Sequence, residues 1–304
     1  MMSTQSNAAE KAAVSVLDRL FAGGPVLCDG AMGTMLCERG IPMDRCYDAL
    51  NLSQPEMVAA IHAAYLVAGA EILETNTFGA NACRLERYGL RDQVRQINLA
   101  GVRLARQSAA DSAGEVCVAG AVGPLGVRQE PDAARDALAE QIRALADGGV
   151  DLLMIETMMS LAEAAEAIRA AHEVAPGLRA VVMMTVGEDG NCLDGATVEA
   201  AAVRLTELGA DAVGCNCSFG PATVLAAIER MRTATRLPLA AMPNAGLPRD
   251  VEGRAVYAIS PEEMAGYARR LIEAGASLVG GCCGTTPECI RAMKLALHRN
   301  YPPK

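Results

Sequence analysis

Short apolar runs alternate along the chain with longer amphipathic stretches. Eight of these runs are predicted strands, at 26–29, 72–76, 116–122, 152–156, 180–185, 212–217, 239–243 and 278–282. The stretches between them, such as PEMVAAIHAAYLVAGA and PEEMAGYARRLIEAGA, place apolar residues at helical spacing with charges on the other face. The pattern therefore predicts a strand followed by a helix, repeated eight times.

The predicted helix ends follow two repeating signatures. Three helices open with a hydroxyl residue that precedes a glutamate by three positions, with a proline near the first turn, at Ser53, Ser260 and Thr285. Four helices end in a glycine that leads directly into a strand, at Gly69, Gly149, Gly209 and Gly275. The recurrence indicates one structural unit used repeatedly.

Eight such units without a dinucleotide-binding glycine motif favour a closed barrel over an open doubly wound sheet. We therefore predict a single-domain α/β fold, the (β/α)8 TIM barrel. The barrel is expected to span residues 13–300, with a disordered or frayed N-terminus at 1–12 and a tail at 301–304.

Charge and composition exclude several partners. The 27 Lys and Arg against 36 Asp and Glu give a net charge of −9, and aromatic residues make up 3%. Neither value suits nucleic acid or an anionic membrane as the main partner. No apolar run reaches the roughly 18 residues of a membrane span, and residues 1–24 do not resemble a signal peptide. We expect a cytoplasmic protein with reduced thiols.

Lysine and histidine are scarce, which excludes further chemistry. The three lysines lie near the chain ends, at Lys11, Lys294 and Lys304, so a Schiff-base mechanism is not expected. The three histidines fall inside predicted helices, at His62, His172 and His298. We expect them to be solvated or capping side chains rather than members of a metal site or a catalytic triad.

Small and polar residues collect where the predicted strands end, at 29–34, 74–79, 123–126, 156–157, 214–217, 243–246 and 280–284. In a barrel these ends meet at one rim, the face on which active sites of this architecture are built. Simple glycine turns explain 123–126 equally well.

Three of the eleven cysteines could bind one ion. Cys217 ends the sixth predicted strand and Cys282 and Cys283 end the eighth. Three thiolates with a fourth position open are typical of a catalytic zinc site. Neighbouring residues on a regular strand point to opposite faces, so joint ligation requires the chain to turn there, which the surrounding glycines permit. The alternatives are buried structural cysteines and a closed site that adds Cys215, which we expect to lie a layer deeper in the barrel.

The rim motifs DGAMGT, ETNTFGA, ET, GCNCSFGP, PNAG and GGCCGTTPE resemble, in this order, the zinc-dependent homocysteine S-methyltransferase family. That family includes the N-terminal homocysteine-binding module of cobalamin-dependent methionine synthase and of bifunctional homocysteine S-methyltransferase/methylenetetrahydrofolate reductases. The resemblance covers roughly residues 24–297. GGCCG with an upstream G-x-N-C is its most specific part.

The resemblance implies a role for each matching residue. Cys217, Cys282 and Cys283 would bind zinc, and Asn244 is a candidate fourth ligand while substrate is absent. Glu156 would bind the homocysteine ammonium. The alternative is that Glu156 caps a helix start or interacts with the helix dipole there. The other implied substrate-binding residues are Asp29, Gly30, Ala31, Thr34, Asn76 and Asn216, of which Gly30, Ala31 and Thr34 form the turn that receives the carboxylate.

The implied activity is methylation of homocysteine to methionine, with zinc removing the thiol proton. The methyl donor would be a corrinoid protein, a folate module or a small methylated compound such as a sulfonium. No D-x-H-x-x-G corrinoid motif is present, so corrinoid machinery would lie outside this sequence. Betaine as donor, a different acceptor thiol and a non-catalytic zinc- or thiol-binding protein stay open. A glycosidase-like pair of Asp29 and Glu74 is disfavoured, since aromatic sugar platforms are scarce.

Overall fold

A computed structural model describes residues 15–251 and 254–300. Eight parallel strands surround a central axis, and each corresponds to a predicted run. They are β1 Val26–Leu27, β2 Ile72–Glu74, β3 Cys117–Val122, β4 Leu152–Met158, β5 Arg179–Met184, β6 Ala212–Cys217, β7 Leu239–Pro243 and β10 Ala276–Val279. The order around the sheet is β1-β10-β7-β6-β5-β4-β3-β2, and a bridge between Cys28 and Ile72 brings its two ends together. The predicted (β/α)8 barrel is confirmed.

Helices cover the outside of the barrel. They are α1 Val16–Phe21, α2 Met32–Glu38, α3 Leu50–Ser53, α4 Pro55–Ala68, α5 Ala82–Glu86, α6 Val94–Ala110, α7 Pro131–Gly148, α8 Leu161–Val174, α9 Val198–Glu207, α10 Pro221–Ala234, α11 Pro261–Glu273 and α12 Pro287–Asn300, with a 3₁₀ turn at Arg91–Gln93. None of the helices in the described ranges is long and apolar enough to cross a membrane. The predicted N-terminal segment 1–12 and tail 301–304 lie outside the described residues.

Alternation along each strand divides the core into two layers. Leu152 and Met154 belong to the cluster inside the barrel, whereas Leu153 and Ile155 pack in the larger cluster between strands and helices. Helix α1 packs on the inner cluster at the end where the strands begin. The opposite end, where the strands finish, is left for the rim residues.

Most predicted helix boundaries are confirmed. Gly69, Gly149, Gly209 and Gly275 all take positive φ, and Ser260 forms a complete capping box with Glu263. The prediction for Ser53 was wrong, because Ser53 ends α3 and its hydroxyl donates to the carbonyl of Ala49, while Gln54 starts α4. The Thr285 hydroxyl, predicted to cap a helix, donates to the Cys282 carbonyl instead.

Two features differ from the sequence predictions. The chain inserts an antiparallel hairpin, β8 Arg249–Val251 and β9 Arg254–Val256, which its mixed charged residues concealed. His62 is fully buried in α4, and neither ring nitrogen has a partner among the described residues. The expectation of a solvated or capping role for His62 was therefore wrong. His298 is exposed as expected, and His172 lies at the surface beside the Gly209 carbonyl.

Candidate metal and substrate site

Three cysteine sulfurs lie together at the open end of the barrel. The Sγ atoms of Cys217, Cys282 and Cys283 are all within 4.8 Å of one another. Sulfurs bound to one tetrahedral zinc at 2.3 Å would lie about 3.8 Å apart. Hydrogen bonds from Cys282 and Cys283 lower the pKa of the Cys217 thiol. This cluster can hold one metal ion.

The adjacent cysteines share the site because the chain leaves the sheet before them. β10 ends at Val279, three residues earlier than predicted. The Cys282 amide donates to the Pro243 carbonyl at 2.9 Å, and the Cys283 carbonyl accepts from Ala245 at 2.9 Å. The Thr285 hydroxyl donates to the Cys282 carbonyl at 2.6 Å, where a helix cap was predicted. A side chain at Gly281 would overlap Thr285, so this turn requires glycine.

Asn244 lies beside the sulfur cluster with one unused oxygen. Its amide nitrogen donates to the Ser218 carbonyl at 2.8 Å, while its Oδ1 is buried and has no partner among the described residues. The Asn244 side chain also contacts the Cys217 sulfur. An unpaired amide oxygen next to three thiols suits a further ligand for a hard or borderline cation.

Cys215 is separate from the three clustered cysteines. Its side chain is fully buried in the layer between strands and helices, and its sulfur lies 3.5 Å from the Ser218 hydroxyl. We had expected Cys215 to lie a layer deeper inside the barrel, and this was wrong, because its side chain faces the helices. The geometry does not support a closed four-cysteine site.

Glu156 approaches the sulfur cluster from β4 and is held by Asn216. The Asn216 amide donates to Glu156 Oε2 at 2.9 Å, and its oxygen accepts from the Thr157 amide at 2.7 Å. The same Asn216 nitrogen is 3.9 Å from the Cys282 sulfur. Burial, the nearby Cys217 and Asp29 raise the pKa of Glu156 to about 8. Asn216 is fully buried, so it positions Glu156 from behind.

Two further carboxyl groups lie beside Glu156. Asp29 accepts from the Glu74 amide at 3.0 Å and from the Cys28 thiol at 3.6 Å, and burial raises its pKa to about 7. The Glu74 carboxyl makes no hydrogen bond in the described part of the chain, and its Oε1 is buried. Burial, Glu156 and Asp29 raise the pKa of Glu74 well above its usual value. Glu74 belongs to the ETNTFGA motif but was not predicted to bind substrate.

The turn at 30–34 closes one wall of the site. The Ala31 amide donates to Thr285, and the Thr34 hydroxyl accepts from the Gly284 amide at 2.9 Å. No side chain caps the start of α2. Tyr257, which follows the unpredicted hairpin, packs on Gly284 beside the cysteines and was missed because no motif marks it.

A cavity of about 360 Å³ joins these groups. Its inner wall contains the three clustered cysteines, the carboxyl groups of Asp29, Glu74 and Glu156, and the predicted residues Gly30, Ala31, Thr34 and Asn76. The Asn76 amide nitrogen is already used by the Tyr47 carbonyl and the Asn51 side chain, at 2.8 and 3.0 Å. Asn216 and Asn244 are not among the residues that line the cavity and lie behind its inner wall. The outer mouth is lined by Met43, Arg45, Arg84, Arg87 and Tyr88.

Fold and site together describe a (β/α)8 barrel whose rim carries three clustered thiols beside a carboxylate-lined cavity. The chain belongs to the homocysteine S-methyltransferase family, whose sequence model matches residues 26–297. It is accordingly a methyltransferase.

Individual relatives agree with this assignment. Methionine synthase of Mycobacterium leprae is 35% identical over 89% of this chain, and that of Mycobacterium tuberculosis is 36% identical over 88%. The chain spans about a quarter of the length of these two proteins, since the matches cover 24% of each. The metallated form of the homocysteine methyltransferase MmuM from Escherichia coli superposes with a TM-score of 0.78 at 28% identity, covering 89% of this chain and 96% of MmuM.

Proposed function

We propose that this chain binds zinc through Cys217, Cys282 and Cys283 and methylates homocysteine to methionine. The observation that carries the proposal is the cluster of three sulfurs within 4.8 Å, which lines a cavity together with the neighbouring Glu156. Zinc, when bound, would supply the acidity that deprotonates the substrate thiol at neutral pH. The buried, unpaired Asn244 oxygen supports its role as a ligand in the absence of substrate.

The protein's own residues orient the substrate. Glu156 binds the homocysteine ammonium, and Asn216 fixes the carboxylate of Glu156 from behind. The uncapped start of α2, at Ala31 to Thr34, receives the substrate carboxylate. Held at both ends, the substrate keeps its sulfur at the cysteine cluster. In the transfer, the bond between the methyl carbon and the donor breaks while the sulfur–carbon bond forms, so alignment of the two groups is the main contribution of the protein.

The charged residues at the outer mouth of the cavity indicate which kind of methyl donor it favours. Arg45, Arg84 and Arg87 form no ion pair within the described residues, and Arg84 stacks on Phe78 at 5.2 Å. Asp48 lines the same cavity close to Arg84 and offsets part of its charge, whereas Arg45 and Arg87 are exposed. The remaining positive charge favours an anionic donor of the folate type over a cationic sulfonium or quaternary ammonium. Charge does not select for or against a corrinoid, since methylcobalamin has no net charge.

A methyl-transfer assay tests the proposal. Purified protein supplied with zinc is incubated with homocysteine and, in turn, methylcobalamin, methyltetrahydrofolate with a corrinoid protein, S-methylmethionine and betaine. We expect methionine to form with at least one donor and not with Cys283→Ala. X-ray absorption of the zinc protein should show one additional sulfur on the metal after homocysteine is added. Failure of homocysteine to join the metal, or methionine formation that survives loss of Cys283, would contradict the proposal.

A further inference from the structure

The pocket contains one carboxyl group that neither the fold nor the metal cluster uses. Glu74 ends β2 and lines the cavity between Asp29 and Glu156. Neither oxygen of its carboxyl group takes part in a hydrogen bond or an ion pair in the described ranges, and Oε1 is inaccessible to solvent. Burying a carboxyl group without a partner is costly, so the observation calls for a ligand that supplies the missing donor.

The neighbours of Glu74 identify the chemistry of that ligand. Oxygens of Glu74 and Asp29 and the sulfur of Cys28 lie within 4.8 Å of one another, and Glu156 adds a third acidic group close by. Cys28 is fully buried, does not line the cavity and donates its thiol proton to Asp29. Because Cys28 does not line the cavity, only carboxyl groups of this cluster are offered to a ligand there. An organic cation with several N–H donors therefore suits this cluster better than a second metal ion.

Glu74 and Asp29 differ in how many of their carboxyl oxygens already accept hydrogen bonds within the described residues. Both Asp29 oxygens already accept hydrogen bonds, from Cys28 and from the Glu74 backbone amide. One Glu156 oxygen accepts from Asn216. Glu74 has both oxygens free, and an alkylammonium carries three donors. Asp29 in turn holds the backbone of Glu74, which aims that carboxyl group into the cavity.

We infer that Glu74 is a second binding residue for the substrate ammonium, beside Glu156, and that Asp29 is a positioning residue for Glu74. The inference rests on the proposed function, since it assigns the ammonium of an amino-acid thiol to this end of the cavity. Glu74 is therefore a specificity-determining residue, selecting α-amino thiols over thiols that lack the amino group.

Calorimetry of the zinc-loaded protein tests the assignment with two probes, homocysteine and 4-mercaptobutanoate, which is homocysteine without its amino group. Glu74→Gln should weaken homocysteine binding at least about tenfold and leave 4-mercaptobutanoate within about twofold of the wild type. Glu86→Gln, which removes an exposed carboxylate of α5, should change neither. The ligand-free Glu74→Gln protein should melt at the same temperature as the wild type or higher, because an unpartnered buried carboxyl group is removed.

Each contrary result has its own meaning. If the wild type binds homocysteine and Glu74→Gln retains the discrimination between the two probes, the assignment of Glu74 is wrong. Asp29→Asn keeps an oxygen that can accept from the Glu74 amide, so it should keep most of the discrimination, and its complete loss in Asp29→Asn alone would also contradict the assignment. Two zinc equivalents in the wild type and one in Glu74→Gln would make the cluster a metal site and overturn the assignment. A wild-type protein that does not bind homocysteine at all would overturn the proposed function itself.

Discussion

Buried amide and carboxyl side chains of this barrel fall into two groups according to what they contact. Gln141 donates to the carbonyls of Thr77 and Ala121, at 2.6 and 3.3 Å, so its role is to hold backbone together. Glu156 accepts from Asn216, and the Glu74 carboxyl accepts no hydrogen bond in the described part of the chain. The Gln141 Oε1 is also buried without a partner there, so what sets Glu156 and Glu74 apart is that both line the cavity, where a ligand can reach them.

Glu156→Gln tests this reasoning at the metal-proximal end of the pocket. The amide oxygen of glutamine can still accept from Asn216, so the fold and the zinc site should be unaffected. Loss of the charged partner for the ammonium should cost about 1.5–3 kcal/mol of homocysteine binding. Calorimetry gives the affinity and elemental analysis the zinc content. Unchanged homocysteine affinity would remove Glu156 from the pocket, and loss of zinc would show that the substitution acts on the metal instead.

His62 predicts a pH dependence of stability. Burial lowers its pKa to about 4, against about 6.5 in the unfolded chain. The unfolded chain therefore binds the proton first as pH falls, and the stability supplied by neutral His62 is complete above pH 6.5 and lost towards pH 4. Relative to His62→Leu, the wild type should lose up to about 3 kcal/mol across this window.

The measurement for His62 is urea unfolding at several pH values. Taking the difference between wild type and His62→Leu cancels the opposite contribution of Asp29 and Glu156, whose pKa values are raised. Substitution of the exposed His298 by Gln should leave the pH profile unchanged. Parallel profiles for wild type and His62→Leu would contradict the prediction.

At the scale of elements, contact between neighbouring strands sets the position of the metal ligands. Gly214 of β6 faces Ala240 of β7, and a Cβ at Gly214 would overlap the Ala240 carbonyl oxygen. The same two strands pair Cys217 with Pro243, next to Asn244. Any change that separates β6 from β7 should therefore disturb the proposed metal site as well as the sheet.

Gly214→Ala should destabilise the protein by about 2 kcal/mol and weaken zinc binding, because the overlap is with backbone that cannot rotate away. Gly266→Ala is the matched control: Gly266 lies inside α11 with open space around it, and alanine there should add about 0.5–1 kcal/mol of stability. Denaturant unfolding and zinc titration measure both effects. A Gly214→Ala protein with normal zinc affinity would show that the strand spacing does not set the site.

Sequence periodicity predicted the elements well because barrel strands are buried on both faces and read as apolar runs. Periodicity was less successful where contacts between residues distant in sequence decide the role of a side chain. Thr285 has the pattern of a helix cap, but the cysteine turn takes its hydroxyl. Tyr257 lies beside the site without a distinctive local signal, and Glu74 belongs to the ETNTFGA motif, which does not by itself assign it a role. The three cysteines were predictable, since a barrel brings strand ends together whatever their separation in the chain.

At the scale of the whole molecule, the proposed metal ligands lie outside the apolar core of the barrel. The inner and outer clusters contain dozens of buried apolar side chains and none of the three clustered cysteines. The turns that carry Cys282 and Cys283 are held by backbone hydrogen bonds to Pro243 and Ala245. Neither the core nor these turns requires a metal ion to form.

Removing the metal should therefore abolish thiol binding without unfolding the protein. After chelation under reducing conditions we expect an unchanged far-ultraviolet circular dichroism spectrum and a cooperative melt a few degrees lower, since only the binding free energy of the ion is lost. Homocysteine binding should disappear and return when zinc is added back. Cys217→Ala should behave like the chelated protein, whereas Cys215→Ala should keep zinc and lose stability, because Cys215 belongs to the core. If the chelated protein unfolds instead, the metal is a structural element and the apolar core alone is not sufficient for folding.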